Sequence, residues 1–249
     1  MRLFTRTLLL MAFLALPVLM ATSNVWAADS QQTTVYQDTE IDVYDGDDAE
    51  VSDPIEGWNR IMFQFNDILY FGLIRPISQV YGFIAPEFLR IGIRNFFHNL
   101  EMPKHFVGAL LQGDIRGAGR ELGRFGINTV LGLGFFDTAE KAFDMPSGNE
   151  DIGQALGVMG AGDSVYLVWP VLGPSNLRDT VGLVGDTALS PLTYYPKDTW
   201  ARVGIHAGKA INNTSLRIGE YEDLVEAALD PYVALRDAYL QMRRKKIDE

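Results

Sequence analysis

Three histidines, His98, His105 and His206, are the side chains best suited to acid–base or metal chemistry in this sequence. His98 and His105 stand seven apart across a break expected at Pro103, which is not a metal-ligand spacing. No HExxH, GxSxG or phosphate-loop pattern occurs, and there is no cysteine to act as a thiolate ligand or nucleophile. The acid pairs Glu150-Asp151 and Glu222-Asp223 are adjacent in sequence and read as caps or solvated faces. This inventory assembles no catalytic residues, no metal site and no cofactor site. It points away from an enzyme.

The elements around these residues read as helices cut by proline and glycine. The organising stretch is 53–76, DPIEGWNRIMFQFNDILYFGLIRP. Asp53 as N-cap, Pro54 at the first helical position and Glu56 three residues after the cap form a start signal. Arg75-Pro76 is the expected stop, because a proline disfavours helix in the residue before it. Apolar residues cover this helix nearly all round, as in a buried core helix or one facing lipid. Further helices are expected at 87–101, 103–112, 115–131, from Asp137 through Phe143, at 151–160, from Ser175 to about Leu189, from Asp198 for about 30 residues, and from Asp230-Pro231 onward. The fourth carries Gly117, Gly119, Gly123 and Gly126, and Gly119/Gly123 have the spacing that allows two helices a close approach. A turn is expected at 160–163. Residues 164–171 read as an edge strand limited by Pro170. The closing Arg243-Arg244-Lys245-Lys246 suits a helix C-terminus, or anionic lipid at close range.

Composition narrows the partners. The chain has 249 residues and a formal net charge of −11. Nine of its 32 acids lie in 28–53, where there is no base. That balance argues against nucleic acid. Residues 1–27 read as a signal peptide, with Arg2 and Arg6 before an apolar run and Val25-Trp26-Ala27 as the cleavage site. Residues 28–52 read as an acidic disordered linker. The folded domain is then 53–249. No segment after residue 27 has 18 uninterrupted apolar residues.

An ordered set of motifs resembles the MlaA (VacJ) family. It opens with DPIEGWNRIMFQFN at 53–66 and Arg75-Pro76. Arg94-Asn95-Phe96 follows, with Asn99-Leu100-Glu101-Met102-Pro103 and Leu111-Gln112-Gly113. Then come Arg124-Phe125-Gly126-Ile127-Asn128-Thr129 with 132–137, Gly153-Gln154-Ala155-Leu156-Gly157, and Gly173-Pro174-Ser175 through Arg178-Asp179. Asp230-Pro231-Tyr232 through Arg236-Asp237-Ala238-Tyr239 closes the set.

The resemblance implies a mainly α fold: a ring-like single domain of short, Pro/Gly-interrupted helices in the periplasmic leaflet of the outer membrane. It implies a passive channel that withdraws misplaced phospholipid from the outer leaflet. The partners would be phospholipid, an outer-membrane porin trimer and a soluble periplasmic lipid carrier, with no cofactor. The alternative is a membrane-associated structural or assembly factor that moves no lipid. Family members are often lipoproteins with a cysteine after the signal; this chain has none, so it is expected not to be lipidated. Side chains of mixed polarity make Asn59, Phe63, Phe65 and Asn66 of the first helix, with Gly132, Gly134 and Phe135 of the glycine-aromatic turn, the lipid-path candidates.

Overall fold

The structure is a computed structural model that describes residues 53–162 and 165–248. The expected signal peptide and acidic linker lie outside those residues, as do Asp163 and Ser164 of the expected turn and strand. The described chain is mostly helical, with one small hairpin.

The first helix, α1 (Glu56–Leu69), does not stop at Arg75-Pro76. It passes through a π-helical turn (Tyr70–Ile74) into α2 (Arg75–Ile84). A proline inside a regular helix meets the carbonyl four residues back and donates no hydrogen bond. Pro76 sits in the first turn of α2, directly after the wider π turn, which takes up that misfit. The chain breaks at Ala85-Pro86, where Ala85 turns extended as a residue before proline prefers. The expected cap is also corrected. The Asp53 side chain does not cap α1. Its carboxylate accepts from Asn59 Nδ2 at 2.8 Å and from the Tyr232 hydroxyl. Glu56 pairs with Arg60 instead of closing a capping box.

Helices α3 (Glu87–Leu100), α4 (Met102–Leu111), α5 (Ile115–Val130), α6 (Thr138–Phe143) and α7 (Ile152–Val158) follow. Asp114, Asp137 and Asp151 cap the last three by accepting from Gly117, Glu140 and Gln154 amides. The expected edge strand is β1 (Tyr166–Trp169). Its partner β2 (Gly173–Asn176) was not foreseen; the two pair antiparallel, Tyr166 opposite Asn176 and Trp169 opposite Gly173. Asn176, not Ser175, caps α8 (Leu177–Leu189). One turn of helix, α9 (Pro191–Tyr194), follows. The long helix is two, α10 (Thr199–Ser215) and α11 (Glu220–Ala227). They part at Gly219, whose φ of 107° suits glycine. The chain ends in α12 (Pro231–Asp248).

The hairpin lies where α1 and α12 meet. Tyr166, Val168, Tyr232, Tyr239 and Leu240 form a buried cluster, with Met62, Phe63, Val233 and Met242 packed on it. Asn59 on α1 donates to Tyr166 O at 3.0 Å and accepts from Val168 N at 2.8 Å. Seven residues on, Asn66 repeats the arrangement with Trp169 O and Val171 N. Two side-chain amides thus stand in for a neighbouring strand along β1.

Glycine pairs the helices, but not where expected. A Cβ on Gly119 would meet nothing within 4 Å, and one on Gly123 only the end of Met145. The close crossing is α7 on α8, where a Cβ on Gly182 would lie 2.2 Å from Gly153 N. Beside it Arg243 of α12 holds Asp151 at 2.7 Å and Asp179 at 2.8 Å. One member of the closing basic tetrad is therefore a buried structural cation.

Candidate functional site

The polar interior begins beside Arg243, Asp151 and Asp179, which line part of it. Arg94, His98 and Glu101 recur at i, i+4 and i+7 along α3 and the turn that ends it. With Arg124 of α5, Asp137 ahead of α6 and Lys209 of α10 they line a cavity of about 260 Å³. A second cavity, about 90 Å³, lies toward α7, α8 and α12 and is lined by Lys104, His105, Asp151 and Asp186 among others. His98, Glu101 and Asn149 line both.

Electrostatics explains how so many charges stay buried. Glu101 bonds Lys209 through Oε1, and its Oε2 lies 3.1 Å from Lys104 Nζ. Burial opposes its charge, but the two lysines outweigh burial and hold its carboxyl well below the usual range. Burial opposes the Asp137 charge too. Arg124 at 2.7 Å and Asn128 at 3.0 Å outweigh it and lower its pKa. Burial lowers Lys209, and Glu101 does not fully compensate. Burial also lowers His98 to about 4 and His105 well below its ordinary value, so both imidazoles are neutral at pH 7. Arg94 is different. Burial and the nearby Arg217 charge both act against its guanidinium, and among the described residues it has no hydrogen-bond partner. It is a cation at the cavity wall with donors to offer.

None of the seven sequence candidates lines either cavity. Asn59 is 0 % exposed and its amide is fully engaged, as described above. Asn66 is likewise committed to the hairpin. Asn59 has no donor left for a lipid, while the half-buried Asn66 keeps one amide hydrogen beyond its bond to Trp169 O. Phe63 packs edge-on to Tyr232 with ring centroids 6.0 Å apart. Phe65 is exposed on the outer face of α1. Gly132 and Gly134 shape the turn after α5: a Cβ on Gly132 would lie 2.2 Å from Phe136 O, and Gly134 has φ 76°. Phe135 stacks on Phe96 of α3 at 5.1 Å. That turn carries an exposed apolar tip, Leu131, Leu133 and Phe136, just before Asp137, which lines the cavity. The i, i+4, i+7 polar stripe on α3 was the signal available for the cavity. It passed unused because each residue looked unremarkable alone.

The family model described as MlaA lipoprotein matches residues 51–246. The chain belongs to the MlaA lipoprotein family. An MlaA relative, the intermembrane phospholipid transport system lipoprotein MlaA of Escherichia coli K12, is 34 % identical over 197 residues, covering 76 % of each chain. The lipoprotein of the same name from Haemophilus influenzae is 29 % identical over 211 residues, covering 81 % of each. An uncharacterized protein of Rickettsia conorii is 32 % identical over 219 residues, covering 85 % of this chain and 86 % of its own. A chain solved in work on the structural basis for maintenance of bacterial outer membrane lipid asymmetry superposes with a TM-score of 0.69 at 33 % identity. The match covers 79 % of this chain and 99 % of that one. The mainly helical MlaA-like fold expected from the sequence is thus the one observed.

Proposed function

We propose that this chain is the outer-membrane component of an intermembrane phospholipid transport system, and that it moves lipid passively, without covalent chemistry. The observation that carries the reading is the pairing of a charged interior cavity with an apolar exterior. Ile61, Ile68, Val80, Phe83 and Phe88, along α1–α3, are all exposed, Phe83 to 93 %. Leaving a large apolar side chain in water forgoes about 1.5–3 kcal/mol. An accumulation of exposed apolar side chains of this kind marks an interaction or membrane site.

Among the described residues no single helix is long and apolar enough to cross a membrane. The α1–α2 run and α3 pass that test only together, and they are bent by 118° at their break. Insertion into one leaflet, the periplasmic one, suits that bend. Export is by the cleaved segment 1–27. None of the 249 residues is cysteine, so none offers a thiol for acylation. The apolar helix faces, with a porin trimer beside them, hold the protein in place. The headgroup travels by the polar cavity, where Arg94 meets its phosphate, while acyl chains follow Phe65, Phe135 and the apolar tip at Leu133. A soluble periplasmic carrier receives the lipid.

The test is expression in a strain lacking its own family member, with outer-leaflet phospholipid as the readout. The wild-type chain is expected to restore asymmetry, and Arg94→Glu to restore little of it at equal membrane abundance. Unrelieved outer-leaflet phospholipid with wild-type protein in the outer membrane would overturn the reading in favour of an assembly factor that moves no lipid.

A further inference from the structure

The break between α3 and α4 brings His98, Glu101 and His105 together, although sequence spacing gave no reason to expect it. One potential ligand atom from each lies within 4.8 Å of the other two, and the imidazole rings are 5.0 Å apart. Glu101 ends α3 and Pro103 starts α4, so the chain turns just where a continuous helix would have carried His105 away.

Each ring is oriented by a protein partner at one nitrogen. His105 Nδ1 is 2.8 Å from the Glu150 carbonyl, which can only accept. Nδ1 therefore carries the proton and Nε2 presents a lone pair. That Nε2 is buried without a hydrogen-bond partner, on a side chain of a residue only 4 % exposed. His98 Nε2 is 3.1 Å from Ser147 Oγ, and the acceptors Glu121 Oε1 and Asn149 Oδ1 compete for the serine hydroxyl proton. Nε2 of His98 is then the donor and Nδ1 the free lone pair. An imidazole fixed by a hydrogen bond at one nitrogen and open at the other is the usual arrangement of a metal-ligating histidine.

We propose that His98, Glu101 and His105 form a binding site for a divalent metal ion of the zinc type. Two neutral imidazoles and one carboxylate are a common three-ligand set for zinc, with a fourth position left for water. Bonds of about 2.0 Å at tetrahedral angles put ligand atoms about 3.3 Å apart, so the cluster closes by at most roughly 1.5 Å on loading. Side-chain rotation suffices for that, since the ligands stand at a helix break beside two cavities. The charges that oppose a cation are Lys104 and Lys209, both on Glu101, and Arg124, which lines the same cavity and is held by Asp137. Lys209 is the one that gives way, since it lines the 260 Å³ cavity into which it can swing. The site is thus a three-way competition for Glu101 in which a metal ion replaces Lys209.

That competition supplies a test a merely structural cluster would not pass. The full-length protein, purified from membranes in detergent and stripped with a chelator, is titrated with Zn²⁺ and separately with Co²⁺. One equivalent is expected to bind in the micromolar range or tighter, with the visible bands of tetrahedral Co²⁺. His105→Gln and His98→Gln are each expected to weaken binding by tenfold or more. Lys209→Met is expected to tighten it, because the competitor for Glu101 is gone. Circular dichroism checks that each variant keeps its helix content. The proposal is overturned by wild-type protein that takes up no ion at 1 mM. It is equally overturned by histidine variants that bind as wild type does, or by Lys209→Met leaving affinity unchanged. Binding is the only readout, so the outcome is separate from whether the chain moves lipid.

Discussion

Asn59 on α1 and Val168 on β1 are joined by a 2.8 Å hydrogen bond from the strand amide to the side-chain oxygen, while the same side chain donates to Tyr166 O. The pair fixes the first helix on the hairpin inside a fully buried contact. Asn59→Ala removes both bonds and leaves a buried strand N–H and C=O without partners. An unsatisfied buried group costs about 1–3 kcal/mol. The variant is expected to lose about 2–4 kcal/mol in chemical denaturation, with the Asp53 carboxylate also losing a donor. A loss below about 0.5 kcal/mol would mean that water replaces the amide.

The same residue shows what could be read from the sequence and what could not. The helical period of 53–76, the helix starts near 87, 115, 137 and 151, and the break at Pro103 rest on local chemistry and appear in the structure close to where they were expected. Asn59 and Asn66 were read as polar faces of a lipid path because nothing local distinguishes an asparagine that bonds a strand 107 residues away. β2 was missed for a like reason: Gly173-Pro174-Ser175-Asn176 has poor strand propensity, and only its pairing with β1 makes it a strand. The polar cavity is assembled from α3, α5, α6 and α10, and its residues meet only in the fold.

Glycine function separates by position. Gly182 faces Gly153 backbone, which cannot step aside as a side chain can. Gly182→Ala is expected to cost at least about 2 kcal/mol through overpacking at the α7–α8 crossing. Gly119 is exposed with nothing within 4 Å of its Cβ direction. Gly119→Ala is expected to stabilise the chain by about 0.5–1 kcal/mol, as for any open helix-interior glycine. Equal effects from the two substitutions, measured by thermal unfolding in detergent, would contradict this assignment.

Arg243 joins α12 to the first turns of two other helices by holding Asp151, the cap of α7, and Asp179 of α8. Burial opposes its charge, but the hydrogen bonds and charges of Asp151 and Asp179 outweigh it and raise its pKa. Arg243→Met leaves the buried Asp151 carboxylate without its cation, while Asp179 keeps Arg178 at 3.2 Å. Breaking such a pair from one side costs about 3–5 kcal/mol. Arg243→Lys is expected to recover only part of this, since an ammonium cannot grip two carboxylates in the planar fork that guanidinium provides. The measurement is the denaturation midpoint of both variants against wild type.

Asp186 of α8 gives the fold a pH dependence of unusual sign. Burial raises its pKa from 3.8 to about 6; Lys104 pulls the other way and does not prevail. Its Oδ1 accepts from Ile152 N at 3.2 Å at the start of α7. The folded pKa lies above the unfolded one, so the folded state favours the protonated form. The stability this contributes is fully present below pH 3.8 and is lost as pH rises through about 6. Above that, the buried charge costs up to about 3 kcal/mol. Asp186→Asn keeps an oxygen for Ile152 N and removes the charge. It is therefore expected to stabilise the protein at pH 8 and to change little at pH 4. Urea unfolding at the two pH values decides the matter. A variant less stable than wild type at pH 8 would show that the Asp186 charge is balanced by Lys104 and contributes to stability there.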